Sequence, residues 1–489
     1  MDRRVLWRGV LLVLLLLAFA VRLSGLTAQS LWRDEVDAIR FSQGPLTTLF
    51  RNFTRVGWNG PLYYAFLRLW IAVAGQTEFA LRFFSLGFGL LAVALTVRLA
   101  RAWFTPAVAA LAGLLMALSP YMVWYSQENK MYALVSALVL ATVWLFYLAI
   151  VKNHWLLWMG VLVALWFTTG VHVMGALLVP VLILFFLIWW PVARRRWRQA
   201  LVVLVVAVAP SLVALPWAGP LLIRGGDIGH RFVDLRGMVM MMLHAFSRGI
   251  LAQGRELPIV LSLFCLLAGS LLWNEWSLFR GPYNPERGYR PERGYVLALW
   301  TWMVVPVLGL YGISLRIPMF VDRYLIWIGP AFYVLVARGL EQIRRLSTIL
   351  WSICLVLMLW LSGRGIVQQT TTPIKSDFRG AAAYVAAHRQ PEDLVLFHIS
   401  YVRYTFEYYY GPSSPYADGI PTDDNTTEDL VDALMRERTQ GYGTVWLVLS
   451  EPDMWDRRGM TVDWLEAHAK EETRQDLTLV SVIRYRMLE

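Results

Sequence analysis

The stretch Val5-Leu6-Trp7-Arg8-Gly9-Val10-Leu11-Leu12-Val13-Leu14-Leu15-Leu16-Leu17-Ala18-Phe19-Ala20-Val21, followed by Ser30-Leu31-Trp32-Arg33-Asp34-Glu35, decides the reading of this chain. A helix needs about 20 apolar residues, within a range of roughly 17–25, to cross a bilayer. Residues 5–23 meet that length. They run into Arg22-Leu23-Ser24-Gly25-Leu26 rather than a small-x-small cleavage site, so the run reads as an uncleaved first span. Two adjacent carboxylates so close to a bilayer are rare unless they are paired or used. Asp34 and Glu35 are expected just beyond the outer end of that span, at the level of a lipid-linked headgroup.

The rest of the chain fits a membrane setting. Of its 489 residues 57% are hydrophobic and 16% charged, against about 25% charged in a soluble domain. Further spans are expected at 80–100, 107–123, 131–151, 155–171, 173–190, 199–222, 257–274, 296–315, 322–340 and 347–364, about eleven in all. Pro61–Gly75 is apolar but short and carries Arg68, so it reads as an interfacial helix. With the N-terminus inside, the short inner loops hold Arg3, Arg4, Arg8, Arg98, Arg101, Lys152, Arg194–Arg196, Arg198, Arg280, Arg287, Arg290, Arg293, Arg344 and Arg345. This is the positive-inside pattern, and counting Pro61–Gly75 as a span would break it. Residues 24–79 and 223–256 become long outer loops. The expected location is the plasma membrane, multi-pass, with the N-terminus cytoplasmic. Cys265 and Cys354 lie inside apolar runs and offer no disulfide framework.

Net charge changes sign along the chain. Residues 1–372 hold 33 Lys and Arg against 14 Asp and Glu, while residues 373–489 hold 12 against 20. The basic residues flank apolar helices rather than forming a stripe on a soluble face, which excludes nucleic acid as partner. Two domains follow: a membrane domain, 1–372, with its outer catalytic loop at 24–79, and an extracytoplasmic domain, 373–489. Ser376–His388, Tyr401–Tyr410, Glu428–Arg438 and Val462–Glu472 read as helices. Asp393–His398, Thr444–Leu449 and Leu477–Arg486 read as strands, and Gly411–Asn425 as a loop. That alternation predicts a small α/β domain. The fold class is therefore a polytopic α-helical membrane protein with a small C-terminal α/β soluble domain.

Four motifs are expected at the outer face. They are Ser30–Glu35; Trp58-Asn59-Gly60-Pro61-Leu62-Tyr63-Tyr64; Ser119-Pro120-Tyr121-Met122-Val123-Trp124-Tyr125-Ser126-Gln127-Glu128-Asn129-Lys130-Met131-Tyr132; and Arg316-Ile317-Pro318-Met319-Phe320-Val321-Asp322-Arg323-Tyr324. Their order resembles the bacterial branch of the GT-C glycosyltransferases, similar to protein O-mannosyltransferases and lipid A aminoarabinose transferases. There an acidic pair follows the first span, and a His-Pro-Pro-Leu-Tyr-Tyr or Lys-Pro-Pro-Leu-like motif opens the interfacial helix. A Tyr-Ser-Gln-Glu-x-x-x-Tyr-like loop and a late Arg-Tyr complete the pattern. Here Asn59 stands for the His or Lys, and Gly60 for the first Pro. The resemblance implies a polyprenyl-phosphate sugar donor, a hydroxyl acceptor on protein, glycolipid or polysaccharide, and inversion at the anomeric carbon.

Such a transfer needs a base near the acceptor oxygen and cations on the departing phosphate. Asp34 is the expected base. Arg323, helped by Lys130, is expected on phosphate, because guanidinium pairs with phosphate oxygens bidentately. Glu35, Asn59, Gln127, Glu128 and Tyr324 complete the expected substrate-binding set. Glu35 and Glu128 would orient hydroxyls or bind Mg²⁺ or Mn²⁺, although no metal is required. Plainer roles stand beside these: Asp34 and Glu35 as surface charges of a short helix, Gln127–Lys130 as a polar turn, Arg323 snorkelling to the interface, and Asn59 as a helix cap. His172 and His244 have no partner at metal-ligand spacing. A flippase for lipid-linked saccharides is the competing class, yet the span centres are almost free of charge and no repeat occurs. The altered Asn59-Gly60 also leaves a non-catalytic assembly subunit open.

Overall fold

The computed structural model describes residues 3–53, 60–209, 230–251, 256–271, 292–422, 425–452 and 456–488. The chain divides into two compact units. The first combines Met1–Leu26 with Ser42–Gln369, and the second combines Thr27–Phe41 with Thr370–Glu489. The expected outer loop 24–79 is therefore split: its segment carrying Asp34 belongs with the C-terminal residues and not with the apolar helices.

In the first unit, Val5–Leu23, Glu78–Trp103, Tyr132–Lys152, Arg293–Ser314 and Thr348–Thr371 are long and apolar enough to cross a membrane. Two bent pairs, Pro106–Leu118 with Pro120–Ser126 and Val173–Ile188 with Trp190–Ala209, bring the number among the described residues to seven if each is one span. Pro61–Ala74, Trp155–Val171 and Leu257–Ser270 are apolar but shorter. Parts of the expected spans 199–222 and 257–274 lie outside the described residues. The expected span 322–340 opens as a tight 3-10 turn, Asp322–Ile328, before the helix Gly329–Leu346.

The expected span 107–123 is corrected to a helix broken by 60° at Ser119. Proline has no N–H to give and pushes the residue before it out of the helical region. Ser119 accordingly takes φ −65°, ψ 119°, and its hydroxyl accepts the Met122 N–H at 3.2 Å to cap the next helix. The break strands carbonyls that an apolar surrounding cannot solvate. Arg22, fully buried, supplies them: Nη1 donates to Ala117 O at 2.9 Å and Nη2 to Met116 O at 3.2 Å. Its Nε donates to Ser126 Oγ at 3.1 Å. Gln127 Nε2 then closes on the carbonyls of Arg22 and Ser24 at 2.8 and 2.7 Å.

Gly60 opens the helix Pro61–Ala74 with Pro61 in its first turn. A Cβ at Gly60 would overlap the backbone of Gly170, and one at Gly170 would lie 2.6 Å from Leu62 Cδ1. The two helix ends meet through their missing side chains.

The second unit holds a five-stranded sheet: β1 (Leu394–Phe397), β2 (Tyr416–Asp418), β3 (Thr444–Leu449), β4 (Ala469–Leu477) and β5 (Val480–Met487). The order is β2-β1-β3-β5-β4, with β1 parallel to β2 and β3, and β5 antiparallel to β3 and β4. Alternate residues of β1 feed two cores. Val395 and Phe397 pack with Phe378, Val385 and Phe406; Leu394 and Leu396 pack with Val431, Met435 and Leu465. The expected helix Val462–Glu472 is corrected to Met460–His468 followed by β4, and the expected loop Gly411–Asn425 contains β2. Ala469-Lys470-Glu471-Glu472-Thr473-Arg474-Gln475-Asp476 is poor in strand formers because β4 is an edge, where charge prevents pairing with other chains.

Candidate functional site

In the first unit the third and fourth motifs come together. Arg323 Nε donates to Tyr132 Oη at 2.9 Å, and its guanidinium lies 5.9 Å from the Tyr132 ring centroid. The Arg323 N–H is held by Asp322 Oδ1 at 2.8 Å. Tyr132 packs edge to face with Tyr125 at 5.0 Å, and Tyr125 with Tyr121 at 4.9 Å. His172 faces Tyr324 at 5.2 Å and Tyr132 at 6.3 Å. The buried His172 ring accepts the Met174 N–H on Nδ1 at 3.2 Å. A half-buried guanidinium among phenols has the chemistry to bind an anion's oxygens.

The turn 127–130 is tightly built. Lys130 N donates to Glu128 O at 2.7 Å, and the Lys130 carbonyl accepts the Ser85 hydroxyl at 3.2 Å. Tyr63 Oη donates to Asn129 Oδ1 at 3.1 Å, joining the second motif to the third. Glu128 and Lys130 are both buried. The side-chain amide of Gln127 binds the backbone of Arg22 and Ser24. Asn59 lies outside the described residues. Sequence reasoning did not single out Arg22, an arginine at the end of an otherwise apolar span that serves the helix break.

The acidic pair lies in the second unit, at the start of the helix Arg33–Gln43. Neighbours in sequence, the two carboxylates have opposite fates. Asp34 keeps 20% of its side chain exposed, while Glu35 has none and its Oε2 accepts Lys375 Nζ at 2.7 Å. Removing one partner of a buried pair costs roughly 3–5 kcal/mol, because the other charge is left alone. Arg33 stands beside Asp34, with Nε 3.8 Å from Oδ1. Its Nη1 donates to Glu451 Oε2 at 3.0 Å, and the guanidinium lies 4.7 Å from the Tyr401 ring centroid. Tyr401 Oη donates to the same Glu451 oxygen at 2.8 Å. Burial and this bond to Glu451 push the Tyr401 phenol up to about 12.

The same segment is laced to the residues after 370 along its length. Gln29 Oε1 accepts the N–H groups of Ile374 and Lys375, each at 2.9 Å. Ser30 Oγ donates to Ser376 O at 2.8 Å, and Leu31 N to Tyr409 Oη at 2.6 Å. Arg40 stacks 3.2 Å from the Tyr404 ring centroid. Glu451, just past β3, adopts φ 53°. A non-glycine residue in this region costs of order 1 kcal/mol and persists only where its surroundings impose it. Among the described residues no three His, Cys, Asp or Glu side chains form a metal-binding group.

Deeper in the same unit, His398 Nε2 and Asp456 Oδ2 are 3.3 Å apart and both residues are buried. Asp456 also accepts Thr422 Oγ1 at 2.7 Å and the N–H groups of Met460 and Thr461, each at 3.0 Å. Burial pulls its acidity one way, but these four donors prevail and hold the carboxyl well below the usual carboxylate range.

Residues 59–217 match the family described as dolichyl-phosphate-mannose-protein mannosyltransferase. Comparison with curated proteins returns no match. Among solved structures, ArnT from Cupriavidus metallidurans in the apo state matches with TM-score 0.62 at 13% identity over 98% of both chains. ArnT bound to undecaprenyl phosphate gives 0.58 at 12% identity, covering 97% of this chain and 98% of that one. The oligosaccharyltransferase AglB from Archaeoglobus fulgidus, with an inhibitory peptide and a dolichol-phosphate, gives 0.59 at 10% identity. That match covers 98% of this chain and 74% of AglB.

Proposed function

We propose that this chain, a membrane protein with the fold of the GT-C glycosyltransferases, moves a sugar from a polyprenyl phosphate to an acceptor hydroxyl. The observation that carries this reading is the match along nearly the whole chain to a structure that holds undecaprenyl phosphate. The AglB structure, with its dolichol-phosphate, adds a second lipid phosphate on the same fold. In the proposed reaction the acceptor oxygen bonds to the anomeric carbon as the bond from that carbon to the phosphate oxygen breaks. The hydroxyl proton passes to Asp34, and the polyprenyl phosphate departs as a stable anion without needing an acid. Attack opposite the leaving group inverts the anomeric centre. Arg323, Tyr324 and Lys130 hold phosphate, and Glu128 orients sugar hydroxyls. Glu35, tied to Lys375, fixes the Asp34 helix. The proposed setting is the plasma membrane, with the sheet domain outside.

The test is transfer by purified protein in detergent. It is supplied with membrane extract and a radiolabelled panel of polyprenyl-phosphate hexoses and pentoses. Asp34→Asn keeps the shape and removes the base, so transfer should fall about 10²–10⁴-fold. Equal transfer by the variant would remove Asp34 from this role. Movement of intact labelled lipid across proteoliposomes without transfer would favour the flippase reading.

A further inference from the structure

We infer that the C-terminal sheet domain is the mount of the catalytic carboxylate, with Glu451 acting as a positioning residue for Asp34 through Arg33. The inference rests on the reading of Asp34 as the base. Thr27–Phe41 form one compact unit with the residues from Thr370 onward. Two ion-paired contacts fix the segment on either side of Asp34: Glu35 with buried Lys375, and Arg33 with Glu451. The first is fully enclosed and sets where the helix lies. The second is part-exposed and sets where Arg33 stands, 3.8 Å from the Asp34 carboxylate.

Glu451 shows a second, independent mark of function. Its backbone sits at φ 53°, a conformation that asparagine and glycine adopt more readily than glutamate. A glutamate kept there against backbone preference points to its carboxylate. That carboxylate has two partners on one oxygen, the guanidinium of Arg33 and the hydroxyl of Tyr401. Tyr401 also lies under the Arg33 guanidinium, so one side chain fixes both the carboxylate and the cation. Arg33 is then confined in position and direction beside Asp34. A base displaced by about 1 Å loses much of its rate while the rest of the site still binds substrate.

The experiment compares full-length wild type, Glu451→Asn, Tyr401→Phe and Asp34→Asn in detergent. Glu451→Asn relieves the backbone and removes the carboxylate, so Tm should stay level or rise. Binding of undecaprenyl phosphate should be unchanged. With the polyprenyl-phosphate panel, kcat should fall at least tenfold with KM within twofold, and Tyr401→Phe should lower kcat about threefold. Amide hydrogen exchange across Arg33–Gln43 should quicken in Glu451→Asn while β1, β3 and β5 keep wild-type exchange. This last readout needs no knowledge of the donor. Unchanged exchange in that helix, or a fall in kcat matched by falling Tm and lipid binding, would overturn the inference. If Asp34→Asn loses transfer while Glu451→Asn and Tyr401→Phe keep wild-type kcat, the positioning role alone fails. If Asp34→Asn keeps wild-type kcat, the base assignment fails, and the mount with it.

Discussion

The Arg323 cluster and the Asp34 segment are assembled in opposite ways. Around Arg323, residues 121–132 of one motif and 322–324 of another meet inside a single unit, through phenol rings stacked edge to face. Around Asp34, residues 29–40 are held by partners hundreds of positions later, through ion pairs, hydrogen bonds to backbone and a guanidinium stacked on a phenol ring. The first arrangement follows from helices packing side by side. The second needs a distant domain to be folded before its carboxylate has a place.

Four substitutions probe that contrast, in falling order of effect. The Asp34→Asn loss of 10²–10⁴-fold in transfer comes first. Lys375→Met strands buried Glu35 and should lower stability of the second unit by roughly 3–5 kcal/mol, read by thermal unfolding; an unchanged Tm would break the contrast. Arg323→Gln should weaken binding of undecaprenyl phosphate about 10- to 150-fold, as the loss of charge-assisted hydrogen bonds does. That change should leave exchange in Arg33–Gln43 untouched. Tyr132→Phe removes only the hydroxyl on Arg323 and should cost about 1 kcal/mol, or fivefold, in the same assay.

Acid titration adds a distinction by pH. Asp456 has a depressed pKa in the folded state, so its stabilisation is complete above the unfolded value near 3.9. The stabilisation is lost as pH falls towards the folded value. Urea titrations of wild type should therefore show stability dropping below about pH 4, and Asp456→Asn should flatten that limb while lowering stability at pH 7. A wild-type limb that the substitution leaves in place would assign acid sensitivity elsewhere.

What the sequence discloses follows the same division. The apolar runs place Val5–Leu23, Glu78–Trp103 and Tyr132–Lys152 because lipid length is a local constraint. The continuous apolar runs 394–397 and 445–449 place β1 and β3 because both faces of the sheet are covered. Hidden were the helix break at Ser119, whose freed carbonyls find Arg22 far away in sequence, and β4, whose charges suit an edge but resemble a helix. Asp34 and Arg323 stand out as local motif residues. Lys375, Tyr401 and Glu451 carry no local signal, since their meaning lies in partners 340 to 418 positions earlier, or, for Tyr401, 50 later.

The glycine contact between positions 60 and 170 bears on how portable the prolyl motif is. Relatives of the resembled kind carry proline where this chain has Gly60, and transplanting their motif looks like a two-residue edit. It is not, because the ring of a proline at 60 would enter the backbone of Gly170. Gly170 is already the smallest residue, so no second substitution could make room. The smallest exchangeable module is the motif together with the helix Trp155–Val171, and a chimera that respects that seam should assemble where a point replacement jams.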